Sequence, residues 1–383
     1  MQAFNFLGTN TVVSKRIGWI MKLVIVVPYN VERSGVVIFA HRLAQALIKY
    51  KIQPTFLSIG KYHKESQFTN LGFENMKAII EWLSIHHDSF DNVLWMGFCE
   101  NARSIKEQII CSKFLRNNAG KKIYFLWERT GENEVIPTER LLRDITSIAT
   151  DIFVLNLDQY NTLNIIFPQH THLISPGVDT QTQFIPPKSA REKHKIRQLL
   201  GWPKDQPIIL SVGRFTKRKR TDLVMQNWLT SNLREISYLV VIGSGFDQKD
   251  SIEYKVKQLA TLSTKIVIVP HKDDQDRAPF YRGADIFVAN GITEGEPSVL
   301  SEAMGCGLPV VATNIPGHNR LVINNQTGLL FDSNDSQTFI NSLQVLCINT
   351  DFRMALGRAA RKKIIEERDI TIVAKSIIEI IEK

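Results

Sequence analysis

The chain has 383 residues, 44% of them hydrophobic and 22% charged, with 47 Lys and Arg against 38 Asp and Glu for a net charge of +9. That composition belongs to a globular chain and excludes disorder and collagen-like repeats. The length suits two domains, each able to bury a core, and no apolar run reaches the ~18 residues needed to span a bilayer.

Residues 1–20 lack a continuous apolar segment and place Lys15 and Arg16 after their apolar positions, so they do not read as a signal peptide. A strand-like run, KLVIVVP, follows Met21 directly, which makes this leader either a disordered arm or a misassigned start. Beyond it, short β-branched runs alternate with amphipathic stretches, the pattern of parallel sheets with helices on both faces. In the first half, strands are expected at 22–27, 54–58, 92–95, 122–127, 152–155 and 172–174. A helix over 35–49 carries Phe39, Leu43, Ala46 and Leu47 on one face.

The pattern breaks at FIPPKSAREKHKIR, residues 184–197, whose paired prolines and charges read as a linker. Strands resume at 207–212, 238–242, 265–269, 285–289 and 309–312. From Ser333 onward only helices are expected, with Ile364, Ile365, Ile370, Val373, Ile377, Ile378 and Ile381 forming an apolar stripe. The fold class is therefore α/β, two Rossmann-like doubly wound domains facing across a cleft. The boundaries fall at 1–20 for the leader, 21–186 and 187–365 for the two domains, and 366–383 for a terminal helix.

Four separated cysteines, Cys99, Cys111, Cys306 and Cys347, have no zinc-ligand spacing and read as reduced thiols of a cytoplasmic protein. His170 and His172 alternate as on one strand face without a third ligand nearby in sequence, and His86 and His87 read as polar surface, so no metal site is expected. Between Asn101 and Lys122, six basic residues stand against Glu107 alone, interleaved with Ile109, Ile110 and Phe114. Such a helix is either a solvated face or a peripheral contact with the anionic inner face of a membrane.

The stretch most informative about chemistry is DIFVANGITEGEPSVLSEAMGCGLPVVAT, residues 285–313, which reads strand, loop, helix, strand. It sets Glu294 in the loop and Glu302 about one turn into the helix, at the carboxyl end of the sheet where open α/β folds bind ligands. The unpaired N–H groups of the opening helix suit a phosphate, Glu302 could accept from ribose hydroxyls, and Glu294 from sugar hydroxyls. A loop glutamate and a first-turn glutamate facing the helix dipole account for the same spacing. In SVGRFTKRKRTD, residues 211–222, Arg214 and Lys219 can converge on a diphosphate; a solvated charge run or a nucleic-acid patch fits the KRKR run too. Gly243 and Gly245 follow a buried strand and let backbone approach a ligand. Ser34 and Gly35 open the first helix toward the cleft, where a structural N-cap explains Ser34 as well.

Together these stretches resemble the retaining family-four glycosyltransferases, group 1 glycosyltransferases of GT-B fold. Gly213, Arg214 and Lys219 match the family's basic loop, with Arg220 in place of its glycine; Glu294 and Glu302 match its paired glutamates, and EAMGCG at 302–307 its helix. Looser matches lie at 284–288, at PGVD over 176–179 and at GSG over 243–245. The resemblance implies a metal-independent hexosyltransferase that needs no cofactor besides its UDP- or GDP-linked sugar donor. The donor would lie on the C-terminal domain against Gly213, Gly243, Gly245, Gly295, Glu296, Pro297, Ser298, Val299 and Glu302, with Arg214, Lys219 and Glu294 catalytic. The hydroxyl acceptor, a glycan, a lipid-linked or a small molecule, would sit on the N-terminal domain near Ser34, Gly35, Glu128 and Arg129, and the terminal helix would return to cover that domain.

The chain departs from the family at the loop 127–131, WERTG, which has no histidine, at Ser34-Gly35 for Gly-Gly, and at EGEP, 294–297, for EGFG. Rival classes are a nucleotide-sugar epimerase of the same two-lobe fold, a glycosidase and a nucleic-acid-binding protein. Residues 186–220 hold eleven basic and two acidic side chains, the whole net charge of the chain. This concentration favours a nucleotide sugar over nucleic acid as the acidic partner.

Overall fold

The structure, a computed structural model, describes residues 21–30, 35–60, 67–97, 102–127, 139–245, 250–272 and 274–383. The leader, Ser34, Cys99, Glu128 and Arg129 lie outside the described residues.

The first half builds β1 (Met21–Asn30), α1 (Gly35–Ile48), β2 (Ile52–Ile59), β3 (Thr69–Phe73), α2 (Met76–Ile85), β4 (Asn92–Met96), α3 (Ala102–Ala119), β5 (Lys122–Trp127), α4 (Glu139–Ile148), β6 (Asp151–Val154), α5 (Leu157–Ile166) and β7 (Thr171–Leu173). Its seven strands are ordered β3-β2-β1-β4-β5-β6-β7, and every pairing is parallel. β1 is central, and Leu23 to Val27 are all 0% exposed. An unbroken apolar run is what a strand covered on both faces requires.

The second half adds α6 (Ala190–Leu199), β8 (Ile208–Val212), α7 (Thr221–Leu229), α8 (Leu233–Ile236), β9 (Tyr238–Ile242), α9 (Glu253–Ala260), β10 (Ile266–Val269), α10 (Asp274–Gly283), β11 (Ile286–Ala289), α11 (Ser298–Gly305), β12 (Val310–Thr313), α12 (Pro316–Asn319), β13 (Gly328–Phe331), α13 (Ser336–Ile348), α14 (Thr350–Arg368) and α15 (Ile370–Ile381). Its six strands run β10-β9-β8-β11-β12-β13, again all parallel. Two doubly wound parallel sheets are thus present, as expected. Sequence reading missed the edge strands β3 and β13.

The stretch expected to be a linker is half helical. Ser189 caps α6 by accepting from the Glu192 amide at 3.2 Å, and Glu192 reaches back to the Lys188 amide at 2.6 Å, a reciprocal cap. The charges of this run are held within the fold. Lys193 lies 2.7 Å from Asp285, and Arg197 pairs with the same carboxylate while donating to the Gly283 carbonyl at 2.9 Å. Burial alone would raise the Asp285 carboxyl, but Lys193, Arg197 and the Ile208 amide hold it below its ordinary value.

The isoleucine stripe divides at Asp369. That residue is extended (φ −58°, ψ 134°) and caps α15 by accepting from the Thr371 amide at 2.9 Å, which ends α14. Ile364, on α14, joins the core of the second sheet, while Ile370, Val373, Ile377, Ile378 and Ile381 join that of the first beside Val37, Ala44 and Leu47 of α1. Each buried isoleucine contributes about 2 kcal/mol. Tyr50 and Tyr124 fasten α15 at its two ends, donating to the carbonyls of Thr371 (3.0 Å) and Ile381 (3.2 Å). The chain crosses between sheets twice, and the crossings pair at Val178 and Asp369, where the Val178 amide donates to Arg368 and the Ile370 amide to Val178, both at 2.9 Å.

The basic helix α3 is less free than its sequence suggests. Lys113 pairs with Asp144 at 3.2 Å, Arg116 donates to the Ile148 and Ala149 carbonyls at the end of α4, and Lys121 donates to the Phe90 carbonyl at 2.7 Å. His170 and His172 both contact Asp151, at 3.2 and 2.9 Å. Cys111, Cys306 and Cys347 are free and buried. Among the described residues, no helix is long and apolar enough to cross a membrane and no group of side chains is placed to hold a metal ion.

Candidate functional site

In the second sheet the strand order reverses between β8 and β11, so the chain leaves their carboxyl ends in opposite directions and opens a crevice. A cavity of about 20 Å³ lies there, lined by Ser211 to Gly213 at the end of β8, Val288 to Gly291 at the end of β11, and by Lys219, Glu294, Pro297, Val299 and His318 among others. Its enclosed volume has room for about one water molecule.

Glu294 dominates the cavity wall. Lys219 Nζ stands 2.6 Å from Oε1 and Arg218 Nη1 3.0 Å from Oε2, with Arg218 also donating to the Thr293 carbonyl at 2.6 Å. Burial alone would raise this carboxyl, but the charges of Lys219 and Arg218 and the Lys219 hydrogen bond hold it below the usual range. The two cations come from the basic loop after β8. The structure places Arg218 beside Lys219, whereas Arg214 is exposed and does not line the cavity.

Glu302 is placed differently from expectation. It is 0% exposed, takes Arg42 Nη2 (2.8 Å) and Arg277 Nη2 (2.9 Å) on Oε1 and the Tyr281 hydroxyl (2.7 Å) on Oε2, and does not line the cavity. In this arrangement its lone pairs serve α1 of the first sheet and α10 of the second in place of a ligand. Tyr281 is pushed well up by burial and by the Glu302 charge, so its proton stays in that bond.

Glu296, the second acidic residue of EGEP, does not line the cavity. At 1% exposure it sits between Arg368 Nε (3.3 Å) and Arg320 Nη1 (3.4 Å), and Arg320 donates onward to the Leu155 carbonyl at 3.2 Å. Burial raises the Glu296 carboxyl against the pull of Arg368 and Arg320. It ties the loop before α11 to the end of α14 and to the chain just past β6.

Of the remaining expected donor residues, Gly213, Pro297 and Val299 line the cavity, while Gly295 and Ser298 do not. Gly243 is needed for a close approach, but to backbone: a Cβ there would overlap the Gly213 carbonyl. The Gly245 amide donates to Glu253 at 2.5 Å. Gly35 begins α1 with open space around it. Sequence reading missed Arg218, His318, Arg42, Arg277 and Tyr281. The first is visible only as part of a charge run, and the others become partners through contacts distant in sequence.

Two doubly wound parallel sheets, joined by a double crossing and with a cavity at the switch point of the second, define the GT-B class of fold. Residues 192–363 match the family model described as glycosyl transferases group 1. D-inositol 3-phosphate glycosyltransferase of Xylanimonas cellulosilytica is 30% identical over 195 residues, 50% of this chain and 46% of that protein, and its counterpart in Saccharomonospora viridis is 28% identical over 61% and 53%. The chain spans about half the length of the curated relatives it matches. Among solved structures, Anabaena Alr3699/HepE in complex with UDP-glucose superposes with a TM-score of 0.73 at 15% identity, covering 94% of this chain and 99% of that one. Sucrose-phosphate synthase of Thermosynechococcus elongatus gives 0.71 at 18% identity over 94% and 98%.

Proposed function

We propose that this protein transfers a hexosyl group from a UDP- or GDP-linked sugar to a hydroxyl acceptor, with retention of anomeric configuration. Residues 21–186 together with the returning terminal helix form the acceptor-side domain, and residues 187–365 the donor domain. The observation that carries the reading is the convergence of Lys219 and Arg218 on Glu294 at the switch point of the second sheet. A diphosphate entering there offers the two cations a stronger partner than one carboxylate, and Glu294, released, can accept from sugar hydroxyls. The inositol phosphate and UDP-glucose named for the relatives above support a phosphorylated sugar donor and a hydroxyl acceptor.

In the proposed reaction the bond from the anomeric carbon to the diphosphate oxygen breaks while the acceptor oxygen bonds on the same face. The acceptor's proton passes to the departing phosphate oxygen. Lys219, with Arg218 and Arg214 from the same loop, stabilises the charge that develops on the leaving group, joined by the amides opening α11. Positioning and charge stabilisation are then the protein's main contributions.

The test is to incubate the purified protein with UDP-, GDP- and ADP-sugars, first alone and then with lipid extract or small-molecule polyols, following nucleoside diphosphate release. Release that depends on acceptor supports transfer. Conversion of the donor sugar without acceptor would indicate an epimerase, and absence of both consumption and binding for every nucleotide sugar would refute the reading.

A further inference from the structure

His318 is the cavity residue that neither the sequence motifs nor the proposed reaction uses. It lies in α12, just after β12, is 1% exposed, and lines the cavity together with Lys219 and Glu294. Gly317 beside it packs so closely under the loop that a Cβ would overlap the Glu294 and Gly295 carbonyls. The imidazole is thereby held against the segment that carries Glu294.

The hydrogen bonds around the ring settle its tautomer. The Thr313 hydroxyl donates its single proton to the Gly291 carbonyl at 2.5 Å. It therefore turns a lone pair toward His318 Nδ1, 3.0 Å away, and the Thr313 carbonyl, also 3.0 Å from Nδ1, can only accept. Nδ1 must carry the hydrogen. In a neutral ring Nε2 is then a bare acceptor, the one polar atom of the ring left to meet a ligand. The ring is neutral at physiological pH, because burial and the Lys219 charge outweigh Glu294 and the Thr313 carbonyl and bring its pKa down to about 4.

A lone pair held in this way repels phosphate oxygens and attracts hydroxyl groups. The cavity wall thus has two chemistries side by side, with Lys219 as a donor for a diphosphate and Nε2 of His318 and the carboxylate of Glu294 as acceptors for hydroxyls. We infer that His318 is a sugar-recognition residue whose Nε2 accepts a hydrogen bond from a hydroxyl of the hexosyl group being transferred, and so contributes to the choice of donor sugar. The inference rests on the proposed function above and names a contact within that site.

The experiment measures affinity increments by calorimetry. UDP and UDP-glucose, and in parallel GDP and GDP-mannose, are bound to the wild-type protein, to His318→Phe, which keeps a ring but lacks the acceptor, and to His318→Gln, which restores an acceptor oxygen. The expected result is that the gain in affinity from nucleoside diphosphate to nucleotide sugar falls about tenfold in His318→Phe, the value of one lost hydrogen bond. Binding of the nucleoside diphosphate alone should stay unchanged, and His318→Gln should recover part of the increment. Equal weakening of the diphosphate and the sugar nucleotide would overturn the inference, placing the contact at ribose or phosphate or making the role structural. An unchanged increment in His318→Phe overturns it too while leaving the transferase reading intact. Failure of the wild-type protein to bind any of the four probes would refute that reading as well.

Discussion

Arg42 Nη2 donates to Glu302 Oε1 at 2.8 Å across 260 residues of sequence, with both side chains almost completely buried. Arg42 belongs to the helix after the first strand and Glu302 to the helix beside the switch-point cavity, so this pair joins the two sheets through one carboxylate. Arg42 also donates to the Gly177 carbonyl in the crossing segment at 3.3 Å and lies over the Phe184 ring at 5.0 Å. Replacing it with leucine leaves Glu302 with Arg277 and Tyr281, and is expected to destabilise the fold by about 2 kcal/mol, the worth of a buried hydrogen bond to a charged group. Urea unfolding checks the value. Arg42→Leu combined with Glu302→Gln should cost less than the sum of the single changes, since both remove one interaction; strict additivity would show that the pair does not form in solution.

Lys219→Ala should lower turnover by roughly a hundredfold or more, the usual scale for removing a group that stabilises developing charge. Lys219 is 19% exposed and contacts the cavity wall, so the circular dichroism spectrum should not change. Arg218→Ala should have the smaller effect on turnover, because Lys219 makes the shorter contact with Glu294. Steady-state kinetics on both variants provide the check.

His318 has a consequence for stability as well as recognition. Burial, helped by the Lys219 charge and opposed by Glu294 and the Thr313 carbonyl, brings its folded pKa down to about 4 from the ordinary value of 6.5. Between those values the unfolded chain binds the proton and the folded one does not, so stability is full above about 6.5 and is lost as pH falls toward 4. The full loss is about 3 kcal/mol at most. Thermal melts from pH 7 to 4 should show this slope in the wild-type protein and a shallower one in His318→Phe.

Ile377 is 0% exposed between α15 and α1. Ile377→Ala should cost about 3 kcal/mol by lost transfer energy and the cavity left behind. Ile365, on the same apparent stripe but 39% exposed, should lose under 1 kcal/mol on the same change. Denaturant midpoints of the two variants distinguish them.

Much of the fold was legible because buried parallel strands are written as local apolar runs. The β1 and β8 segments announce themselves, and so does the strand, loop and helix that carry Glu294. β3 was missed because Thr69–Phe73 mixes polar residues and glycine on a partly exposed edge, and β13 because Gly328–Phe331 is four residues long and opens with glycine. Glu302 could be placed on its helix but not given its partners, since Arg42, Arg277 and Tyr281 meet it only through tertiary packing. The stretch 184–197 reads as a linker because the carboxylate that neutralises Lys193 and Arg197, Asp285, lies on the far side of three strands in the sequence. His318 was invisible for a related reason: its tautomer depends on where Thr313 and Gly291 direct a single proton.

The return of α15 to the first sheet sets the order in which the molecule can be completed during synthesis. The apolar face of α1 leaves the ribosome early, yet the isoleucines that cover it are made only after the whole second sheet. At typical translation speeds that face waits tens of seconds for its partner. In that interval the nascent first domain exposes a hydrophobic groove, so it is a natural substrate for chaperones, and any attempt to produce that domain alone must supply α15 in some other covalent arrangement.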